Sequence, residues 1–205
     1  MPRVVRPTLL TIDWHTDTGS NGEDILDAVN LEDDGEVALF CWSQLCPNND
    51  GQICAAAWLE VIGDVLVLCK QNEPDAYDYV TRGGKSRFTL VHDAAEFLRR
   101  ARNISGPVLL DIDLDYFTNS DDEGGGEDPP TLALEGMSDL LCPSSPLLTA
   151  IGPNLIGLTI ATEPEFCGGF QASANILAAL DDTMFAGTLG SQDVRWATER
   201  GRAGR

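Results

Sequence analysis

Three residues that can ligate a cation stand at alternate positions near the start of the chain, as Asp13-Trp14-His15-Thr16-Asp17. They follow the apolar run Leu9-Leu10-Thr11-Ile12, which has the length and composition of a buried strand. Side chains two apart on an extended chain point to the same side, so two carboxylates and an imidazole converge where that strand ends. A second run repeats the design. Val108-Leu109-Leu110 gives way to Asp111, Asp113 and Asp115, again at alternate positions, within Asp111-Ile112-Asp113-Leu114-Asp115-Tyr116-Phe117. Carboxylates gathered on one face of an apolar strand repel one another and lose hydration, and a shared cation removes both penalties. Two such strands side by side supply five or six oxygen and nitrogen ligands without a thiolate. That donor set suits manganese, iron or magnesium better than structural zinc.

The elements needed to position these residues can be read between the motifs. Short apolar runs alternate with amphipathic segments, the pattern of a three-layer α/β/α sandwich with a mainly parallel sheet. Leu9–Thr11, Val65–Cys69, Val108–Leu110 and Leu155–Ala161 are its expected core strands, and Phe88–Val91 is a further strand candidate. Helices are expected over Glu23–Leu31, over Gln52–Ile62 with Asp50 as N-cap, and over Asp93–Arg102, Leu132–Leu141 and Phe170–Leu180. Val37–Leu45 fits strand or helix. Gln71–Lys85, punctuated by polar residues and glycine, reads as a surface loop. Thr118–Pro130 is acidic and glycine-rich, with too little apolar surface to order itself, and reads as a mobile loop or a lid. The arginine-rich end after Thr183 is weakly patterned. The whole of residues 1–205 is expected to form one domain.

Charge narrows the partners. The chain has 33 acidic against 13 basic residues, a formal net charge of -20. Such a surface repels nucleic acid and anionic membranes and attracts cationic substrates. Arg99, Arg100 and Arg102 complement the C-terminal end of their own helix instead of forming a nucleic-acid patch. The six cysteines lack regular spacing, and five of them lie beside apolar residues. With no apolar run long enough for a membrane span or a signal peptide, they read as buried free thiols of a cytoplasmic protein. Nothing in the sequence fixes the oligomeric state.

The motifs together resemble a known family. Asp13-Trp14-His15-Thr16-Asp17 is similar to the Asp-x-His-x-Asp motif of the arginase and deacetylase superfamily, and Asp111-Ile112-Asp113 to its later Asp-x-Asp motif. Thr159-Ile160-Ala161-Thr162-Glu163-Pro164-Glu165-Phe166-Cys167-Gly168-Gly169 resembles a third segment. The nearest resemblance is to the small peptide arginases of ribosomal-peptide biosynthesis, and it spans positions 9 to 170. It implies a compact arginase-like fold, a Mn2+ site of two ions, and an arginine-containing precursor peptide as substrate. Urea would be released and ornithine left in the peptide. It implies Asp13 and Asp111 as bridging ligands, with His15, Asp17 and Asp113 completing the two ions and Asp115 orienting a ligand or the substrate. Glu165, with Glu163 beside it, would accept the guanidinium N–H groups. The larger arginases take a further histidine from a Gly-Gly-Asp-His segment. The twelve residues before Asp13 hold no histidine, so water or another acid is expected in its place. His92 is expected to be structural or a proton shuttle. An aspartate-nucleophile phosphatase built on Asp111 and Asp113, another C–N hydrolase and a non-catalytic acidic metal-binding module are the rival readings.

Overall fold

The computed structural model describes residues 5–19, 23–45, 50–71, 74–118 and 134–196. At its centre is β1 (Thr8–Ile12), flanked in parallel by β2 (Val65–Leu68) and β5 (Val108–Asp113). Strand β4 (Gly84–Val91) lies parallel outside β2, and β6 (Leu155–Ala161) parallel outside β5. Strand β3 (Asp75–Thr81) runs antiparallel on β4, giving the order β3-β4-β2-β1-β5-β6. The inner strands are almost wholly apolar because a parallel sheet packed between helices is buried on both faces.

Alternation along the strands divides the core. Leu10, Ile12, Leu66, Leu68, Leu110 and Ile112 face α4 (Ala94–Ala101), α5 (Leu134–Leu141), α6 (Pro146–Ile151) and α7 (Phe170–Leu180). Leu9, Val65, Val67, Phe88 and Leu90 face the opposite way, against Ile53, Cys54 and Ala57 of α3 (Gln52–Trp58). Leu26 of α1 (Glu23–Asp27) and Phe40 of α2 (Asp34–Ser43) pack with Trp58 and Leu59 as an outer layer on that side. The result is the three-layer α/β/α architecture expected from the sequence.

Several elements differ from the sequence expectation. Within the expected loop 71–85, residues 75–85 are not a loop: β3 and the start of β4 form a hairpin there. Tyr77 and Tyr79 turn in to pack on Phe88, while Ala76, Asp78 and Val80 between and beyond them are exposed. That half-polar alternation is the mark of an edge strand. The ambiguous segment 37–45 is helical, because Asp33 caps it by accepting from the backbone N–H groups of Gly35 and Glu36. Asp50 does not cap α3; Gly51 occupies that position. A short helix, α6, begins at Ser145-Pro146, where Ser145 Oγ accepts from Leu148 N and proline fits the first turn. The proposed lid over 118–130 falls almost wholly outside the described residues. No helix among the described residues is long and apolar enough to cross a membrane.

Phe97, fully buried on α4, joins that helix to the sheet. Phe97→Ala should cost about 3–5 kcal/mol of unfolding free energy, measured by urea denaturation of the metal-free protein.

Candidate metal centre

The parallel register builds the site. Thr11 lies level with Asp111, and Ile12 with Ile112. One residue further, Asp13 comes level with Asp113, where both strands end, and the backbone N–H of Asp13 extends the ladder to Leu68 O at 3.0 Å. The C-terminal ends of adjacent parallel strands are where open α/β sheets present their ligands.

Beyond each strand a tight turn folds further donors back over these two acids. After β5 the chain enters a single 3-10 turn (Leu114–Phe117), with the Asp113 carboxylate accepting from Asp115 N. That turn buries Asp115 to 1% exposure and lets its Oδ1 accept from Trp14 N at 3.1 Å. After β1, Asp13 Oδ1 accepts from His15 N at 2.8 Å. Asp17 then adopts a left-handed backbone (φ 48°) and its carboxylate accepts from the side-chain amide of Gln52. Glu163 follows β6, also with positive φ (25°). Non-glycine residues in this region cost free energy, and they concentrate where a side chain must be aimed.

Three overlapping groups of donor atoms result: Asp13, His15 and Asp115; Asp13, Asp17 and Asp113; and Asp113, Asp115 and Glu163. Within each group one ligand atom per residue lies within 4.8 Å of the others. His15 Nδ1 stands 3.0 Å from Asp115 Oδ2. Adjacent ligands of an octahedral ion with bonds of about 2.1 Å lie about 3 Å apart, so this pair is spaced for a shared cation. Asp115 Oδ2 is fully buried, with the His15 imidazole 3.0 Å away as its neighbour. Buried carboxylates gathered this closely are costly unless protons or a cation meet them. The residues therefore fit a divalent metal ion.

The electrostatics agree. Burial pushes Asp13 up to about 10, and its neighbours Asp17, Asp113 and Asp115 add to the effect. Burial, with Asp115 and Glu163 nearby, raises Asp113 to about 9. Asp17 rises to about 7 through burial, despite the Gln52 hydrogen bond. The contact with Asp115 raises His15 above its ordinary value. Cys167, buried beside the same acids, is pushed up to about 12, chiefly by desolvation. It is a closed thiol whose Sγ donates to Thr162 O.

Of the residues singled out from the sequence, Asp13, His15, Asp17, Asp113 and Glu163 come together. Asp111, expected as a bridging ligand, is not in these three groups. It points to the same side as Asp113 but sits one step deeper, where its carboxylate accepts from the hydroxyls of Thr11 and Thr159 and its charge still acts on Asp17. Asp115, folded back over the strand end by the 3-10 turn, joins two of them. Alternation along a straight strand could not foresee this bend. Glu165 is solvent-exposed and lies outside the ligand groups; Glu163, held at positive φ, is the acid that reaches the site. His92 is exposed at the link between β4 and α4.

The motifs did not reveal Lys70. Its backbone N–H and that of Gln71 donate to Trp14 O, and its ammonium donates to the carbonyls of Tyr116 and Thr118. The same ammonium lies 4.7 Å from the centre of the Trp14 ring and 4.6 Å from that of Tyr116. It thus ties the segment carrying His15 to the turn carrying Asp115. The signal was a lysine just past a buried strand, and that alone gave no direction.

A cavity of ≈ 230 Å³ opens beside the ligands. Asp17, Asp50 and Glu163 line it, with no lysine or arginine among the described residues, and Phe166 meets the edge of the His15 ring at a centroid distance of 5.0 Å. Asp50, freed from capping, supplies its carboxylate here, with Gly19 packed so close that a β-carbon there would strike it. Fold and site together define an α/β protein with a carboxylate-rich candidate metal centre. No protein-family model matches the chain, and no curated protein matches it.

In the metal-free protein Asp13, Asp17, Asp113 and His15 all bind protons more tightly folded than unfolded. Folding is therefore favoured at low pH and loses stability as pH rises from about 4 through the raised values. A cation displaces those protons, so its stabilisation grows with pH. Melting temperatures with EDTA should fall between about pH 5 and about pH 9, and millimolar Mn2+ should reverse that trend. Lys70→Met should weaken metal binding by about 10–100-fold, measured by calorimetry.

Proposed function

We propose that this protein is a metal-dependent hydrolase that converts arginine within a peptide to ornithine and urea, using manganese, as two ions, held by the Asp13–Asp17 and Asp113–Asp115 motifs. The observation that carries this reading is the union of three ligand groups with a cavity to which Asp17, Asp50 and Glu163 present carboxylates. The ordered motifs, similar to those of the arginase and deacetylase superfamily, support it, as does the net charge of -20.

When bound, divalent metal would supply Lewis acidity and a water of lowered pKa. The donor sets divide around Asp13, Asp113 and Asp115, each of which belongs to two groups. His15 and Asp17 complete one side and Glu163 the other. A guanidinium is flat and presents paired N–H donors, so it is matched by a carboxylate fixed in direction. Glu163 and Asp17 are such groups, each held by a backbone in the left-handed region. Phe166, packed against His15, shields the ligand side from water and offers an apolar surface to the alkyl stem of an arginine. A free amino acid would bring an α-carboxylate into this acidic lining and be repelled; a peptide arginine carries none. A phosphate ester would meet the same repulsion, which argues against the phosphatase alternative.

The test is urea release from an arginine-containing peptide by the Mn2+-loaded protein. Glu163→Gln should lower kcat/KM by about 100-fold or more, in the range of lost electrostatic contacts to a reacting group, and should also weaken Mn2+ at the group that Glu163 completes with Asp113 and Asp115. Glu165→Gln should stay near wild type. No urea from any arginine peptide, with metal bound, would refute the assignment.

A further inference from the structure

Strand β6 is out of character with its surroundings. Its sequence, Leu-Ile-Gly-Leu-Thr-Ile-Ala, is that of an interior strand, yet none of its seven residues is buried, and Ile156 is 64% exposed. It ends the sheet. The opposite edge is guarded: Asp78 on β3 pairs with Arg87 at 3.0 Å and with Lys85 at 3.6 Å, and charges of this kind keep other strands from adding. β6 carries no charge and no proline. Among the described residues, the sheet face packed by α1–α3 is also open here. Leu109 and Asp111, level with Gly157 and Thr159, all keep accessible surface.

This trough leads into the metal centre. Ala161 lies level with Asp113, and two residues on, Glu163 enters the ligand groups and the cavity. A chain laid along β6 therefore passes the cavity mouth, and one of its side chains can turn in. Charge selects the occupant. A second copy would bring another -20 against the first, whereas a basic extended segment is attracted. We infer that β6 is a docking strand on which a cationic peptide adds as a further strand of the sheet, its main chain bonding to the β6 edge and one basic side chain entering the acidic cavity. This rests on the peptide reading of the site. Main-chain pairing gives affinity with little dependence on sequence, as in other strand-addition complexes.

The probe is a heptapeptide of alternating threonine and valine with one central arginine and an amidated C-terminus, carrying an N-terminal rhodamine label of no net charge, followed by anisotropy with Mn2+-loaded and with EDTA-treated protein. Each backbone amide is N-methylated in turn. Methylation at every second residue should weaken binding by roughly tenfold, the effect of losing one or two main-chain hydrogen bonds, while the intervening positions change little. Ile156→Lys should weaken the same peptide comparably without altering melting temperature or Mn2+ uptake. Binding indifferent to every N-methyl group, no binding at all, or a β6-dependent dimer in sedimentation velocity would each overturn the proposal. Period-two binding without urea release would leave the docking strand standing and sink the hydrolase reading; urea release without period-two sensitivity would do the reverse.

Discussion

The constraint on which the structure turns is the crowding of carboxylates at the ends of two adjacent parallel strands. Register brings Asp13 level with Asp113, and burial takes both out of water. Two like charges 4 Å apart repel by about 4 kcal/mol even at an effective dielectric of about 20, and here several acids meet. Protons or cations must answer that repulsion, and the raised titration of Asp13 and Asp113 records it. The neighbouring contacts hold donors in place against the same force. Gln52 restrains Asp17, Trp14 N restrains Asp115, and Lys70 binds the two donor segments together.

Rigid and adaptable parts are divided accordingly. Asp13 and Asp113 sit at the ends of β1 and β5, two central strands of the sheet, so their separation is set by the sheet's hydrogen bonds. His15, Asp17, Asp115 and Glu163 sit on turns just beyond the strands. There a positive φ or a 3-10 turn re-aims each side chain without disturbing the ladder. Asp111, one layer down, is fastened by Thr11 and Thr159 and supports the floor of the site. The cavity opens where these turns diverge, and its acid lining is continuous with the ligands.

Much of this was legible in the chain itself. Period-two spacing of ligating residues at the ends of two apolar runs identified the strands and singled out Asp13, His15, Asp17 and Asp113, although His15 and Asp17 are aimed by turns and not by strand alternation. The alternation of apolar runs with amphipathic segments identified a layered parallel sheet. These are local properties: side-chain direction on a strand and helix-face periodicity depend on neighbours within a few residues. The hairpin of β3 and β4 was hidden because an edge strand shows only a weak alternation, here Tyr77 and Tyr79 among polar residues.

Which of two equally spaced acids meets the metal centre was decided by tertiary structure. Asp111 and Asp115 both keep the period of Asp113, yet the chain bends at Leu114, so the deeper acid bonds to threonines and the outer one folds inward. Glu163 and Glu165 offered the same ambiguity, resolved by the backbone twist that follows β6. Asp50 moved from helix cap to cavity wall, and Lys70 became the tie between motifs, because groups distant in sequence approached them. The sequence by itself determined the central strands and the ligating residues gathered at their ends. Only the folded chain decided depth, direction and partner, since these depend on contacts between segments up to about a hundred residues apart, such as Trp14 with Asp115.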